Sequence, residues 1–231
     1  IIRYDSIIGD ISAPEDEVDE EHPAVRKDKC AVAYFQISAD ESLGRDEDAR
    51  SLGARSVTLE EHTRVIEAVA RKLGAQLSLS PELSEAIAIA ARWHDRGKDR
   101  RWWQAAIGNP NGEPLAKSGQ SYFDHSHTKG YRHEFGSLIE ARTSEELKTH
   151  PQRELILHLI AAHHGHARPS FAPQAYDCGV PTAVCTAIAA EVPERFAALQ
   201  QHYGWWTLAW LEALVKCADA IASANPNWPS K

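Results

Sequence analysis

The stretch AIAIAARWHDRGKDRRWW, residues 86–103, runs an apolar segment into adjacent His94 and Asp95 and follows them with glycine, lysine and arginines. Imidazole and carboxylate are both metal ligands, but two neighbouring side chains offer too few donors to hold an ion. The missing donors are present elsewhere in the chain: His62 in EEHTRV, His133 in RHE, His163 and His164 in AAHHGH, and Asp219 in KCADAIAS. Each of these residues alone is more simply read as a structural or surface side chain. The ordered set of an H, an HD, an H followed by E, an HH and a final D carries the weight. Mixed histidine and aspartate donors favour a first-row transition ion such as manganese, nickel, cobalt or iron over calcium, which wants six to eight oxygens. Seven candidate ligands exceed what one tetrahedral ion uses. Two ions roughly 3.5 to 4 Å apart with a bridging carboxylate would use them all. Such a pair acidifies a shared water, aims it in line at phosphorus and neutralises charge on phosphate oxygens. No serine, cysteine or histidine nucleophile is then required.

A cationic strip surrounds the dyad. Arg92, Arg96, Lys98, Arg100 and Arg101 are opposed there only by Asp95 and Asp99, and Trp93, Trp102 and Trp103 lie beside them. Cations track a phosphate backbone and an exposed tryptophan stacks a base, so Arg96, Arg100 and Arg101 are expected to bind substrate. The tryptophans are read equally well as core. His125, His127 and His166 are spare candidates for metal or substrate.

The elements that must position these residues are helices. In SVTLEEHTRVIEAVARKLG, Thr58 and Glu61 form a capping box, the apolar residues keep helical spacing, and Gly74 supplies the stop. SPELSEAIAIAARWHD starts with Ser80 as N-cap and Pro81 at the first helical position, and its body is apolar enough to require burial. A short helix over KDRRWWQAAIG, a loop over residues 108–130, a helix over YRHEFGSLIEAR and another over HPQRELILHLIAAHHG follow. PTAVCTAIAAEV and PERFAALQQHYG are expected to be separate helices broken at Pro193, before a last helix over WWTLAWLEALVKCADAIASA. No convincing strand is expected from residue 56 onward. The fold class is therefore all-α, a compact orthogonal bundle over residues 56–231 without a sustained heptad.

Residues 1–55 read differently. An acidic tract (Glu15, Asp16, Glu17, Asp19, Glu20, Glu21) and a polar patch over residues 40–50 flank AVAYFQIS, a possible short strand, and suggest a solvated arm or linker. The net charge of −8 excludes general attraction to nucleic acid, so any such site must be local. Four cysteines without a CxxC pair point away from a zinc finger and a disulfide scaffold and toward a reducing cytoplasm. No apolar run spans a bilayer, so no membrane partner is expected. The chain opens on Ile1 and contains no methionine, which suggests a piece of a longer polypeptide.

The order and local contexts HDRGK (residues 94–98), RHE (132–134), AAHHGH (161–166) and KCADAIAS (216–223) resemble the HD-domain metal-dependent phosphohydrolases. Within that superfamily they look most like the HD nuclease domain of the type I CRISPR helicase-nuclease. The resemblance spans about residues 56–224, and it departs from the commoner arrangement at the front, where some fifty residues precede the first ligand. It implies two divalent ions, with Asp95 bridging, His62, His94 and Asp219 on one ion, and His133, His163 and His164 on the other. It gives Lys98 a phosphate contact. The implied activity is hydrolysis of single-stranded DNA in CRISPR interference, with a helicase in the same chain or bound to it and an RNA-guided complex as partners. Two other readings share these residues: a phosphohydrolase of nucleotides or cyclic nucleotides, and a non-catalytic scaffold module.

Overall fold

A computed structural model describes residue 53, residues 55–225 and residue 228. The acidic arm and the strand expected over AVAYFQIS lie outside the described residues. Helices dominate what is described: α1 (Leu59–Gln76), α2 (Pro81–Trp93), α3 (Arg101–Ala106), α4 (His125–Thr128), α5 (His133–Thr143), α6 (Glu145–Lys148), α7 (Arg153–Ala162), α8 (Thr182–Tyr203) and α9 (Trp205–Ala224). Two 3₁₀ turns, Arg96–Lys98 and Pro173–Ala175, interrupt the connections.

The most apolar helices lie at the centre. α2 buries Ala86, Ile87, Ala88, Ile89, Ala90 and Ala91, and α7 buries every residue from Leu155 to Ala162. A helix buried on all sides has no polar face to present to water, so its neighbours must surround it. α1 and α9 pack on α2 and on each other, α7 packs on α2 and α5, and α8 lies against α7 and α9. The all-α bundle expected from the sequence is the observed architecture.

The caps behave as their chemistry requires. Thr58 accepts a hydrogen bond from the Glu61 amide at 3.1 Å, and Ser80 accepts one from the Leu83 amide at 3.3 Å, with Pro81 in the first turn of α2. Three details differ from expectation. Gly74 does not stop α1, which runs on to Gln76; a Cβ there would stand 2.3 Å from Ser84 Oγ, so the glycine lets α1 and α2 approach. Pro193 does not divide α8, whose buried residues on both sides of it, Ile188, Ala189, Val192, Arg195 and Leu199, hold one continuous helix against the bundle. Strands are also present: β1 (Ser56–Thr58) pairs antiparallel with β2 (Leu115–Ser118). Ser56 faces Ser118, Val57 faces Lys117 and Thr58 faces Leu115, leaving a bulge between Val57 and Thr58. These strands are too short for alternation to be legible, and β2 lies inside the segment read as loop.

Candidate metal centre

Helix ends converge on one buried cluster. His62 comes from the first turns of α1, His94 and Asp95 from the C-terminal end of α2, and His133 from the first residue of α5. His163 and His164 follow the last residue of α7, and Asp219 lies in the last turns of α9. His62, His94, Asp95, His133 and His163 are all at most 3 % exposed. The clusters are His133, His163 and His164; His62, His94 and Asp219; and His94, Asp95 and His163, each with donor atoms within 4.8 Å of one another. The structure thus gathers all seven candidate ligands, and Asp95 stands between the two triplets.

The turn that presents the dyad is fastened to α5. Ser137 Oγ donates to the His94 carbonyl at 2.6 Å and accepts from the Gly97 amide at 2.8 Å, while Tyr131 Oη donates to the Gly97 carbonyl at 2.8 Å. A Cβ on Gly97 would stand 2.0 Å from the His133 carbonyl oxygen and 2.7 Å from the Ser137 nitrogen. Glycine is required here by close backbone approach.

Hydrogen bonds fix two of the rings. His94 Nδ1 lies 2.7 Å from the Ala91 carbonyl, and His163 Nδ1 lies 2.7 Å from the Ile160 carbonyl. A ring nitrogen that close to a carbonyl oxygen carries the hydrogen, which leaves Nε2 of both rings with a bare lone pair aimed into the cluster. His133 Nδ1 lies 3.4 Å from a Glu134 carboxylate oxygen but makes no hydrogen bond with it, so its tautomer is not fixed in this way. Its Nε2 faces His163 Nε2 at 3.3 Å. At that separation the two nitrogens share a hydrogen or flank a cation. Nitrogens bound to one ion at ordinary metal–nitrogen distances of about 2.1 Å lie roughly 3.0 to 3.4 Å apart.

The carboxylates tell the same story. Asp95 Oδ2 is 3.3 Å from His94 Nε2 and 3.7 Å from His62 Nε2, Asp95 Oδ1 is 3.3 Å from His133 Nε2, and Asp219 Oδ1 is 3.1 Å from His62 Nε2. Yet His62 Nε2, His94 Nε2 and both Asp95 oxygens make no well-directed hydrogen bond. Buried donor atoms gathered within 4.8 Å of one another and without hydrogen bonds match the donor set a metal site offers. The residues therefore fit the divalent ions expected from the sequence.

Charge at the cluster is shaped mainly by burial. Burial pushes the His163 imidazole down to about 3, helped by His94 and His133, and holds His62, His133 and His164 below the usual histidine range. Burial alone would lower His94 as well, but the adjacent Asp95 charge raises it. Burial disfavours the Asp95 carboxylate, and His94 and Lys98 overcome this to hold it well below the usual carboxylate range. Neutral imidazoles at His62, His133, His163 and His164 beside ionised carboxylates are protonation states that bind metal, and His94, raised by Asp95, must release its proton to join them.

The residues expected to meet substrate separate. Lys98 is buried with Nζ 2.8 Å from Asp95 Oδ2, so it belongs to the cluster. Arg100 is held by Asp177 at 2.8 Å and Glu140 at 2.6 Å. Arg96 is exposed but 3.8 Å from Glu140, with its guanidinium over the Trp93 ring, and Arg101 is exposed on α3. The strip is thus a partly neutralised surface, because Glu140 and Asp177, distant in sequence, reach it. Trp103 is wholly buried in a satellite core with Ile107, Phe123 and Tyr131, and its ring lies 4.8 Å from that of His133. Among the spare histidines, His166 contacts Arg132, His125 stacks near Phe123, and His127 is exposed beside Asp124.

Glu134 is the site residue that sequence reasoning passed over, although the E of RHE was its signal. It is fully buried between His133 and Arg132, and its carboxyl is pushed down to about 2: burial opposes ionisation, but the charges of His133 and Arg132 prevail. A carboxylate beside a ligand histidine raises the ring's basicity toward the metal. Comparison with family models, curated proteins and solved structures gives no match to this chain.

Proposed function

We propose that this chain is a metal-dependent phosphodiesterase that hydrolyses single-stranded DNA. The observation that carries the reading is the gathering of seven histidine and aspartate side chains into groups whose donor atoms lie within 4.8 Å of one another, with His62 Nε2, His94 Nε2 and both Asp95 oxygens buried and without a hydrogen bond. His62, His94 and Asp219 would hold one ion, His133, His163 and His164 a second, and Asp95 would touch both. Bound divalent ions supply Lewis acidity and an acidified water, the chemistry that hydrolyses phosphodiesters without a protein nucleophile.

The chain's own residues do the rest. Lys98 sets a positive charge at the edge of the cluster, where it can move from Asp95 to an incoming phosphate oxygen. Glu134 sets a buried negative charge beside the His133 ring, 3.4 Å from Nδ1. Trp103 and the packed ends of α2 and α7 keep bulk water from the ligand side of the cluster, which strengthens every charge interaction inside it. The choice of single-stranded DNA rests on the HDRGK, RHE and AAHHGH resemblance, and so do the partners it implies, a helicase and an RNA-guided CRISPR complex. Opening duplex costs roughly 1.4 kcal/mol per base-pair step, so strand presentation falls to such a partner.

The test compares labelled single strand, blunt duplex and a cyclic dinucleotide with manganese, cobalt, nickel or calcium as the added ion. Cleavage of the single strand with manganese, cobalt or nickel, little cleavage of duplex and none with calcium or chelator is the expected result. Rapid turnover of the cyclic dinucleotide with an inert single strand would move the assignment to nucleotide hydrolysis. Binding of metal with no turnover of any substrate would favour the scaffold module.

A further inference from the structure

One side of α9 packs on α1, α2, α7 and α8, and the other is bare. The bare side is apolar. Trp206, Ala209, Trp210, Ala213, Cys217 and Ala220 are all exposed and keep the spacing of a single helix stripe, with Trp205 at its edge. Lys216 is the only charged residue among the exposed positions of α9. Trp205 is 74 % exposed, Trp206 84 % and Trp210 42 %. Lone apolar side chains on a surface need no explanation, whereas a contiguous patch of this kind marks a contact.

The order of residues along the stripe says what covers it. The large side chains, Trp206 and Trp210, occupy its first half, and the small ones, Cys217 and Ala220, its second, with Ala213 midway. In an antiparallel pair of α9 helices related by a two-fold axis at Ala213, Trp206 meets the partner's Ala220 and Trp210 meets the partner's Cys217. Every ring then falls opposite a small side chain, which is how facing layers interdigitate. A parallel pair would set ring against ring at one end and leave the alanines apart at the other. A patch that complements itself in this way makes a closed two-fold interface. At roughly 250 Å² for a whole tryptophan side chain, the three exposed fractions come to about 500 Å² on one copy and about 1,000 Å² on two, the least that a specific interface buries. The scarcity of cations on this face argues against a nucleic acid or an anionic membrane surface, both of which need them.

We infer that α9 pairs antiparallel with α9 of a second copy about a two-fold axis at Ala213, making the chain a homodimer. The pairing is independent of the chemistry at the metal centre, because Asp219 turns toward His62 from a different side of the helix.

The experiment is sedimentation equilibrium of the full chain from about 1 to 200 μM, the regime of a small interface. A reversible dimer should form within that range and should persist between about 0.1 and 1 M salt, since screening weakens ionic contacts and not apolar ones. Trp206→Glu combined with Trp210→Glu should leave a monomer at every concentration, with unchanged helical circular dichroism and manganese content. Should that variant misfold, Trp206→Ala with Trp210→Ala carries the same reading. Mild oxidation of Ala213→Cys should give a covalent dimer linked at position 213, and the wild-type chain should form no link between Cys217 residues. A wild-type chain that stays monomeric at the highest concentration, or a dimer that survives the double glutamate change, would overturn the inference. So would a wild-type dimer joined through Cys217, the mark of a parallel pair. A monomeric chain whose tryptophan fluorescence is quenched by a single-stranded oligonucleotide or by phosphatidylcholine vesicles, and is not quenched in the double variant, would overturn it too and assign the face to nucleic acid or to membrane.

Discussion

At the scale of single residues, the cluster depends on how each imidazole is aimed as much as on which imidazoles are present. His94 and His163 are aimed by backbone carbonyls one turn earlier, an arrangement that any helix end supplies. His133 begins its helix and has no such carbonyl, and the charge nearest its Nδ1 is the Glu134 carboxylate at 3.4 Å. Glu134→Gln keeps the volume and removes the charge beside the ring. Affinity for manganese is expected to fall about 10- to 100-fold, measured by competition with a metallochromic chelator, while the circular dichroism of the helices stays unchanged. Equal affinity in the variant would show that His133 needs no support or is not a ligand.

At the scale of elements, the closest contact in the site is between the turn Arg96–Lys98 and the first turns of α5. Gly97 lies against the His133 carbonyl, and a Cβ on Gly136 would meet Tyr131 Oη at 1.9 Å and stand 3.2 Å from the Gly97 Cα. Gly97→Ala must therefore push α5 away or break the Ser137 and Tyr131 bridges, each buried hydrogen bond worth about 1 kcal/mol. We expect a loss of about 3 kcal/mol or more in denaturant unfolding, together with weaker metal binding. A loss below about 0.5 kcal/mol would contradict this packing. Most helices were legible in the sequence because capping residues, a proline at a first turn and runs of apolar residues each have a local physical cause, and the seven candidate ligands lie at the helix ends so read. What escaped had distant causes. Gly74 and Gly97 answer to neighbouring helices, Pro193 is overridden by the packing of α8, and the strand pair is only three to four residues long. Arg100 looked available because Asp177 and Glu140 are far from it in the chain.

At the scale of the molecule, the chain carries a net charge of −8, and the cluster concentrates ionised carboxylates in a bundle that is otherwise apolar at its centre. Ions of like charge buried together destabilise a fold unless cations compensate them. Lys98 compensates in part, 2.8 Å from Asp95 Oδ2, and bound divalent ions would complete the balance and tie α1, α2, α5, α7 and α9 to one another. No helix among the described residues is long and apolar enough to cross a membrane. The most direct measurement is anomalous diffraction at the manganese edge from crystals of the full chain grown with excess manganese. The account predicts anomalous density on either side of Asp95, one peak within bonding distance of His62, His94 and Asp219 and the other of His133, His163 and His164. Well-ordered crystals with no anomalous density within reach of Asp95 would contradict it.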